Sequence, residues 1–439
     1  GHIELALLHN LSVFRRGPSP MMEERQQDQT DQRPREQAPP SELTESALQT
    51  REAVFFEQMR SYLEDSLQQH YPDVYSESVR VEALESSGLT ATVFSATDVE
   101  GNKFFLKVRP LSKDESLETL GSSGDFAKEK HFTEVGRANG VAMTRVFNPS
   151  HFSVEDFAPE FSNLELKYIG AEGLAGSRPF TLMIQDFVAA EPFSSHLSDQ
   201  TLAISVMENF GRELSKLNAV PASGYGSTYD GATKSFKLSQ EEFLLRYNAD
   251  QKIEELEEKG ILSPEDSAKL RSLIQVLHDK DLPAVYCHFD PNPGNYLVDP
   301  DTGAVKAVID FDSSGAAPWQ YQLAKAIGVI EASSFYIDQE DKAERVKALL
   351  RGYGKSGAEL RENLDTINAF RALDALQFMH TMFVDYQLEY APAVHQEIAR
   401  NYRCLPARKR CAGTRPFTRS YSRWNEEWRY ASVAGISDD

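Results

Sequence analysis

The sequence predicts an α+β protein of two lobes, a β-rich N-lobe followed by a mainly helical C-lobe. Three β-rich runs separated by turn residues lie close together at 81–85, 91–97 and 103–108. From residue 203 to residue 388, helical spacing of apolar residues dominates, interrupted by a β-rich hairpin at 285–312. The 439 residues are enough to build a separate core for each lobe.

Composition is typical of a soluble, globular protein. Hydrophobic residues make up 41% and charged residues 26%, and no apolar run reaches membrane-spanning length. The 3 cysteines are too few for a disulfide framework, so a reducing, cytoplasmic location is expected. The formal net charge of -21 argues against nucleic acid as a partner for the body of the chain. The acids either attract a cationic small molecule or only solubilise the surface.

Both ends of the chain differ in composition from its body. Residues 1–40 are expected to form a disordered tail, because their Gln, Arg, Asp and Pro content cannot bury a core. The apolar run 5–14 is followed by arginines instead of being preceded by them, which is the reverse of a secretory signal. A transit peptide stays open. Residues 400–439 are expected to form a basic tail, which is solvated, folds back on the acidic body or contacts nucleic acid or an anionic surface.

The body is expected to divide into a first lobe at 41–188 and a second at 189–399. Besides the three β-rich runs, the first lobe contains two predicted helices and two further predicted strands, at 41–69, 124–139, 164–170 and 180–184. The second contains predicted helices at 203–218, 240–281 and 370–388. Within 240–281 a second helix is expected to start after Ser263, which is followed by proline and, at the capping-box position, by Asp266.

The hairpin carries polar residues whose spacing is typical of phosphoryl transfer. His288, Asp290 and Asn295 lie between its two apolar runs, and Asp310 and Asp312 end the second run. Transfer to a hydroxyl needs a carboxylate that accepts or orients the hydroxyl proton. It also needs an amide oxygen and a second carboxylate that hold Mg2+ against the phosphates. A hairpin whose acids only decorate turns would not need this combination.

The pair His288-x-Asp290, followed by Pro-Gly-Asn295 and by Ile-Asp310-Phe-Asp312, resembles the aminoglycoside phosphotransferase and choline kinase family. The resemblance spans roughly residues 80–390. It implies a protein-kinase-like fold and phosphorylation of a small-molecule hydroxyl by ATP and Mg2+. It also implies that Asp290 is the general base, or orients the acceptor, while His288 braces the catalytic loop. Asn295 and Asp310 would hold Mg2+, supported by Asp312.

The same resemblance implies that the first lobe binds the nucleotide. Lys107 alternates with apolar neighbours on its strand, so it needs a partner or must reach the surface. It would hold the α- and β-phosphates and would itself be held by Glu129 on the helix at 124–139. Lys103 and Glu134 are the alternatives for these two positions.

Two further segments are implied in nucleotide binding. Gly88 lies in a short Ser-Gly loop, where small residues let backbone N–H groups approach phosphate oxygens. Gln185 and Phe187 follow a predicted strand at the position of the hinge, which binds the adenine edge through backbone groups. Cys287 lies within the catalytic strand and is expected to be a small buried hydrophobe.

The chain departs from the family pattern at several positions. Ala317 and Gln322 replace the two aspartates of Asp-Pro-x-x-Tyr-Asp-Leu-Ala, and Asn218 stands where the family usually has histidine. The aspartate missing at 322 normally anchors the catalytic loop. Glutamine accepts hydrogen bonds without charge, so a weaker anchor is expected, with reduced activity or an unusual acceptor as the consequence.

The acceptor site is implied to involve the helices within 240–281. The aromatic and methionine residues of 370–388 are either plain core or one wall of that site. Asp374, Asp385 and Glu389 are the candidate acids for a cationic acceptor.

Two rival functions are weighed against a small-molecule kinase. A protein kinase is disfavoured, because Asp310 begins Asp-Phe-Asp instead of Asp-Phe-Gly and no Ala-Pro-Glu segment follows. A catalytically silent scaffold is supported by Gln322 and by the single glycine of the phosphate loop. The presence of the other expected phosphate- and metal-binding residues opposes it.

Overall fold

The computed structural model describes residues 60, 63–65, 67, 79–84, 92–110, 125–147, 150–152, 180–332 and 339–385. The chain divides into two compact units, Gly1–Ser112 with Ser150–Ile184, and Lys113–Pro149 with Gln185–Asp439. None of the helices in the described ranges is both long and apolar enough to cross a membrane. The predicted strand at 164–170, the loop with Gly88, and the tails at 1–40 and 400–439 lie outside these ranges.

The first unit contains an antiparallel sheet. Its strands are β1 Arg80–Ala83, β2 Thr92–Thr97, β3 Lys103–Pro110, β4 Ser150–Phe152 and β5 Phe180–Asp186. Their order is β1-β2-β3-β5-β4, and β5 continues into the second unit at its last two residues. The strands predicted at 81–85, 91–97, 103–108 and 180–184 are confirmed. Of the helix predicted at 41–69, the described residues 60, 63–65 and 67 are helical.

The turn between β2 and β3 sets the register of the lysine strand. The Asp98 carboxylate accepts hydrogen bonds from the backbone of Asn102 at 2.8 Å and of Glu100 at 2.9 Å, and Gly101 adopts φ +85°. The hydrogen bond from the Asn102 side chain, and after it the one from the Asn102 backbone, lowers the pKa of Asp98. With the turn fixed in this way, Lys107 lies opposite Val93.

The second unit contains most of the helices. They are α1 Asp125–Ala138, α2 Gln200–Asn218, α3 Gln240–Leu245, α4 Ala249–Glu258, α5 Pro264–Gln275, α6 Trp319–Ala332, α7 Gln339–Tyr353, α8 Gly357–Glu362 and α9 Leu364–His380, the last continuing as a π-turn at Thr381–Asp385. The helices predicted at 124–139 and 203–218 and the helical region at 240–281 are confirmed. Ser263 caps α5 as expected, because its hydroxyl accepts from the Asp266 N–H at 3.1 Å.

Short strands of the second unit frame the predicted catalytic loop. They are β6 Glu191–Pro192, β7 Tyr225–Asp230, β8 Ser235–Leu238, β9 Val285–Cys287, β10 Tyr296–Val298, β11 Val305–Val308 and β12 Gly315–Ala317. They form two sheets, ordered β11-β10-β6 and β8-β7-β12-β9. Since β9 and β10 belong to different sheets, residues 288–295 cross from one sheet to the other.

Helices α2 and α7 approach each other through glycines. A Cβ at Gly211 would lie 2.3 Å from the Leu349 carbonyl oxygen, and one at Gly352 would lie 1.8 Å from that of Glu208. Only residues without a side chain allow backbones to come this close. At the C-terminal end of α2, the Asn218 amide donates to the Tyr286 carbonyl of β9 at 2.7 Å and so ties the helix to the strand before the catalytic loop.

Helix α1 packs within the second unit. The Phe132 ring lies 5.1 Å from the Tyr286 ring, 6.0 Å from Phe236 and 5.5 Å from Phe311. The buried Lys128 ammonium donates to the Ser227 carbonyl at 3.2 Å. The sequence-based boundary assigns this helix to the first lobe at 41–188, whereas these aromatic contacts join it to β8, β9 and the segment after β11.

Candidate active site

The loop between β9 and β10 is held by backbone hydrogen bonds and prolines. The Asn292 N–H donates to the Asp290 carbonyl and the Asn295 N–H to the Asn292 carbonyl, each at 2.8 Å. Pro291 and Pro293 flank Asn292 and fix two of the loop's φ angles. A short 3-10 turn at Pro293–Asn295 then leads directly into β10. The loop is therefore a defined platform for Asp290.

The Asp290 carboxylate is oriented by two side-chain amides. The Asn292 amide donates to Oδ1, and the Asn295 amide donates to Oδ2 at 2.9 Å and to the Asp290 carbonyl at 2.9 Å. Asp290 remains partly exposed. A carboxylate oxygen has more than one lone-pair direction and can accept more than one hydrogen bond. The arrangement fixes the carboxylate and leaves it able to accept a proton from a substrate.

The Asn295 side chain has only one chemically sensible orientation. Its two partners, the carbonyl and Oδ2 of Asp290, are both acceptors, so the NH2 group must face them. The amide oxygen then faces away, and it accepts no hydrogen bond from the residues that the structure describes. An oxygen left free beside a carboxylate suits a hard cation such as Mg2+.

Asp310 is placed next to Asn295 by the backbone. The Ile309 N–H donates to the Asn295 carbonyl at 2.9 Å, directly before Asp310. Asp310 adopts φ +66°, the left-handed region, which aspartate tolerates better than most residues. Non-glycine residues in this region cost about 1–3 kcal/mol and persist where their surroundings hold them.

Phe311 and His288 hold the strained residue from both sides. The Phe311 ring is fully buried, 4.7 Å from the His288 ring and stacked on Phe132. His288 Nε2 lies 3.0 Å from the Ile309 carbonyl, one residue before Asp310. The predicted metal residues Asn295 and Asp310 are thus brought together, and Asp312 follows them as a partly exposed residue.

His288 has a defined tautomer. The Asp290 N–H can only donate, so His288 Nδ1, 3.1 Å away, must accept. The Ile309 carbonyl can only accept, so Nε2 carries the proton. The imidazole is neutral with both nitrogens engaged by backbone, which agrees with a bracing role and leaves no free proton acceptor.

Gln322 anchors the loop through both of its amide groups. Its Oε1 accepts from the His288 N–H at 2.6 Å, and its Nε2 donates to the His288 carbonyl at 2.9 Å. Both residues are fully buried. A carboxylate could accept from the N–H but could not donate to the carbonyl. The weaker anchor expected from the sequence is therefore replaced here by a paired one.

Asn218, a further departure from the family pattern, is equally well satisfied. In addition to its bond to Tyr286, its Oδ1 accepts from the Tyr353 hydroxyl at 2.6 Å. The neighbouring Cys287 is fully buried, as expected, and its thiol donates to the Ala317 carbonyl at 3.4 Å. Burial raises the pKa of this thiol, so it has no reactive thiolate to offer.

The nucleotide-side candidates fall in both units. Lys107 is buried on β3 of the first unit. Glu129 is buried on α1 of the second, where the Gln185 amide donates to its Oε1 at 3.2 Å. Phe187 is partly exposed and begins the segment 187–191, which lines a cleft of about 390 Å³ together with residues 298–301 and Lys306.

One acid proposed for a cationic acceptor already has a cation beside it. Asp374 Oδ1 lies 2.7 Å from the Lys325 ammonium, and the two side chains are 20% and 26% exposed. The Lys325 ammonium also lies 5.5 Å from the Tyr321 ring, which contacts the Phe289 ring of the catalytic loop at 5.0 Å. Lys325 is not among the residues predicted from the sequence, although it lies one helical turn after Tyr321.

The remaining candidates are tested less directly. The side chain of Asp385, and Glu389 and Gly88 entirely, lie outside the described part of the chain. Within that part, no three His, Cys, Asp or Glu side chains group closely enough to hold an ion by themselves. A Mg2+ held by one or two protein ligands and by substrate phosphates needs no such group.

Comparison with known proteins identifies relatives. A family model described as the phosphotransferase enzyme family (APH) matches residues 82–365. No curated protein matches the chain. The crystal structure of aminoglycoside phosphotransferase APH(4)-Ia is similar at a TM-score of 0.49 and 14% identity, covering 77% of this chain and 98% of that one. Amicoumacin kinase hAmiN in complex with AMP-PNP, Ca2+ and Ami is similar at a TM-score of 0.46 and 16% identity, covering 74% and 86%.

The family match begins in β1, ends in α9 and includes the candidate catalytic, metal-binding and nucleotide-binding residues, whereas the candidate acceptor acids Asp374, Asp385 and Glu389 lie beyond it. It covers more than half of the chain. It confirms the family resemblance, and with it the protein-kinase-like α+β fold class predicted from the sequence. The chain belongs to the phosphotransferase enzyme family.

Proposed function

We propose that this protein transfers the γ-phosphate of ATP, with Mg2+, to a hydroxyl group of a small molecule. The observation that carries the proposal is the pairing of Asp290 with Asn295. One amide orients the carboxylate through its NH2 group and keeps its own oxygen available beside it. Phosphoryl transfer needs little covalent chemistry from the protein and depends mainly on this kind of positioning.

Asp290 is the residue that acts on the acceptor. Its carboxylate accepts the proton of the attacking hydroxyl, or aligns that hydroxyl, while the Asn292 and Asn295 amides hold its two oxygens. The neutral His288 fixes the backbone at Asp290 through Nδ1 and moves no proton. The division of roles follows from which atoms are already engaged.

Asn295 and Asp310 would hold Mg2+, with Asp312 in support. The donor set of an amide oxygen and carboxylates fits this hard cation. Bound Mg2+ would neutralise the charge that develops on the phosphate oxygens. The protein's own contribution is to keep Asn295 and Asp310 together through the bond between the Ile309 N–H and the Asn295 carbonyl.

Lys107 and Glu129 would fix the nucleotide phosphates, and the loop with Gly88 would approach them through its backbone. The hinge at Gln185 and Phe187 would bind the base edge through its backbone. Gln185 is the next-to-last residue of the confirmed strand β5, and Phe187 directly follows that strand, which is the position expected of the hinge.

The acceptor is proposed to be a hydroxylated small molecule, of which cationic amino alcohols and aminoglycoside-like compounds are the first class to test. The net charge of -21 favours cations near the surface. A cation that uses Asp374 must compete with Lys325, so neutral sugars belong in the same panel. The scaffold alternative loses one of its two supports, because Gln322 holds the loop with two hydrogen bonds.

The test is release of ADP from ATP and Mg2+ across a panel of amino alcohols, aminoglycosides and sugars. Asp290→Asn should abolish acceptor-dependent release while nucleotide affinity is kept, because its side chain no longer accepts a proton. Asp279→Asn, an exposed aspartate elsewhere in the unit, is the matched control. Asp310→Asn should instead weaken Mg2+-dependent nucleotide binding. Near wild-type turnover in Asp290→Asn would refute the assignment, and a wild-type protein that binds no nucleotide would favour the scaffold.

A further inference from the structure

The buried side chains of Thr144, Gln185 and Glu129 form a line of two consecutive hydrogen bonds. The line runs from the segment after α1 to Glu129 on α1 itself. The Thr144 hydroxyl donates to Gln185 Oε1 at 3.1 Å, and Gln185 Nε2 donates to Glu129 Oε1 at 3.2 Å. Each of the three residues is less than about a tenth exposed, Glu129 the least at 1%. Buried polar groups at this depth are costly unless they are hydrogen-bonded, so the line is not an incidental contact.

The chemistry of the line permits only one direction. A carboxylate accepts and an amide NH2 donates, so Nε2 must face Glu129. That leaves Oε1 of Gln185 facing Thr144, whose hydroxyl is the donor. If the Thr144 hydroxyl were removed, the buried Oε1 of Gln185 would lose this donor. Thr144 therefore supports the orientation of Gln185 that Glu129 requires, and Gln185 supplies a donor to Glu129.

The base of this line is rigid. Gln185 forms an isolated antiparallel bridge with Val146, and the Asp186 N–H donates to the Arg145 carbonyl at 3.1 Å. The Arg145 guanidinium also pairs with the Asp186 carboxylate at 2.9 Å. The Gln185 amide is thus presented from a backbone segment that is fixed on both sides, at the start of the hinge.

We propose that Gln185, oriented by Thr144, is a positioning residue that holds the Glu129 carboxylate for nucleotide phosphate binding. The inference rests on the proposed function, in which Lys107 and Glu129 together fix the nucleotide phosphates. In this proposal the hinge contributes twice, through its backbone toward the base and through the buried Gln185 side chain toward the Glu129 carboxylate. Both ends of the Gln185 amide are engaged with protein, so its side chain does not read the base.

The central experiment measures the dissociation constant of AMP-PNP by calorimetry, with and without Mg2+, for variants of the three residues. Gln185→Leu removes the donor and should weaken binding by about tenfold, the effect of one hydrogen bond to a charged group. Gln185→Glu keeps the shape but places a second carboxylate against Glu129, so its loss should be larger. Thr144→Val should give a smaller loss, and Thr144→Ser, which keeps the hydroxyl, should restore wild-type affinity.

A double-mutant cycle separates positioning from general destabilisation. In a Glu129→Gln background, Gln185→Leu should have no further effect on affinity, because the carboxylate it positions is gone. In turnover assays the Gln185 variants should raise the KM for ATP more than they lower kcat. Gln320→Leu is the control for removing a buried amide, since Gln320 Nε2 bonds only to Asn363 among the described residues, at 2.8 Å.

The outcomes are distinguishable. Additive losses in the cycle, or a Gln185→Leu variant whose affinity equals that of Gln320→Leu, would overturn the positioning role while Glu129 keeps its place. If Glu129→Gln itself leaves nucleotide affinity unchanged, the carboxylate has no phosphate role and the inference falls with it. The phosphotransfer proposal is decided separately by Asp290→Asn. A thermal melt of each variant without nucleotide checks that it is folded.

Discussion

The anchor of the catalytic loop offers the sharpest test of the structure, because sequence comparison and geometry predict opposite results. Gln322 binds the His288 N–H at 2.6 Å and the His288 carbonyl at 2.9 Å. The family pattern has aspartate at this position. Replacing Gln322 by Asp would restore the pattern, yet it would remove the only group of the side chain that can donate to the carbonyl.

The expected loss of stability follows from the two backbone groups of His288 that Gln322 binds. In Gln322→Leu, the N–H and the carbonyl of the fully buried His288 both lose a partner. An unsatisfied buried polar group costs about 1–3 kcal/mol, so the variant should lose about 2–6 kcal/mol of folding free energy. Gln322→Asp loses one bond, shortens the side chain by one methylene and buries a charge, so its loss should fall in the same range.

The assay is urea unfolding combined with turnover. Both Gln322 variants should lower the free energy of unfolding and, where folded, lower kcat, because Asp290 is bonded to the His288 ring at 3.1 Å and follows any movement of the loop. Gln320 lies two positions earlier on the same helix and bonds to the Asn363 side chain. The Gln320→Leu variant should therefore lose only about 1 kcal/mol of folding free energy. If Gln322→Asp equals or exceeds the wild type in stability and turnover, the paired anchor is not what holds the loop.

Two further predictions concern the packing of the second unit. Gly352→Ala should destabilise the protein by about 1–3 kcal/mol in urea unfolding, because its Cβ would lie 1.8 Å from the Glu208 carbonyl oxygen. Gly328 is a helical glycine whose added Cβ would meet nothing within 4 Å, so Gly328→Ala should be neutral or stabilising. Equal effects of the two substitutions would refute the close approach of the helices. Desolvation first, and Lys234 second, lower the pKa of His131 from 6.5, so the fold holds it neutral and stability should fall as pH drops below 6.5 toward the folded-state value. Unfolding measured from about pH 7.5 to about pH 5.5 should show a slope that is reduced in His131→Gln, and an unchanged slope would contradict this.

Local sequence patterns were enough to predict most elements near the site. The strands at 92–97 and 103–110 follow from β-rich runs around a turn at Gly101, and the cap of α5 follows from Ser263 and the proline after it. These features depend on residues a few positions apart. Their physical causes, φ preference, side-chain capping and alternation of apolar residues, are contained in the local sequence.

The environment of each site residue was less accessible, because it depends on contacts between distant segments. Asp374 is a candidate cation ligand in the sequence, but Lys325 lies 49 positions away and 2.7 Å from it in space. Helix α1 follows the lysine strand in sequence, yet Phe132 packs on aromatic residues more than a hundred positions later. No periodicity within either segment specifies these partners.

Gln322 shows why a departure from a family pattern cannot be judged from residue type alone. Sequence comparison weighs the charge that glutamine lacks, and on that basis the anchor is weaker. What decides the anchor is the pair of atoms it faces, and here these are one donor and one acceptor of the same residue, 34 positions away. An uncharged amide matches that pair, whereas a carboxylate cannot donate to the buried carbonyl. The substitution therefore changes which hydrogen bonds hold the loop, but the loop stays anchored. Asp290 remains oriented by the side-chain amides of Asn292 and Asn295.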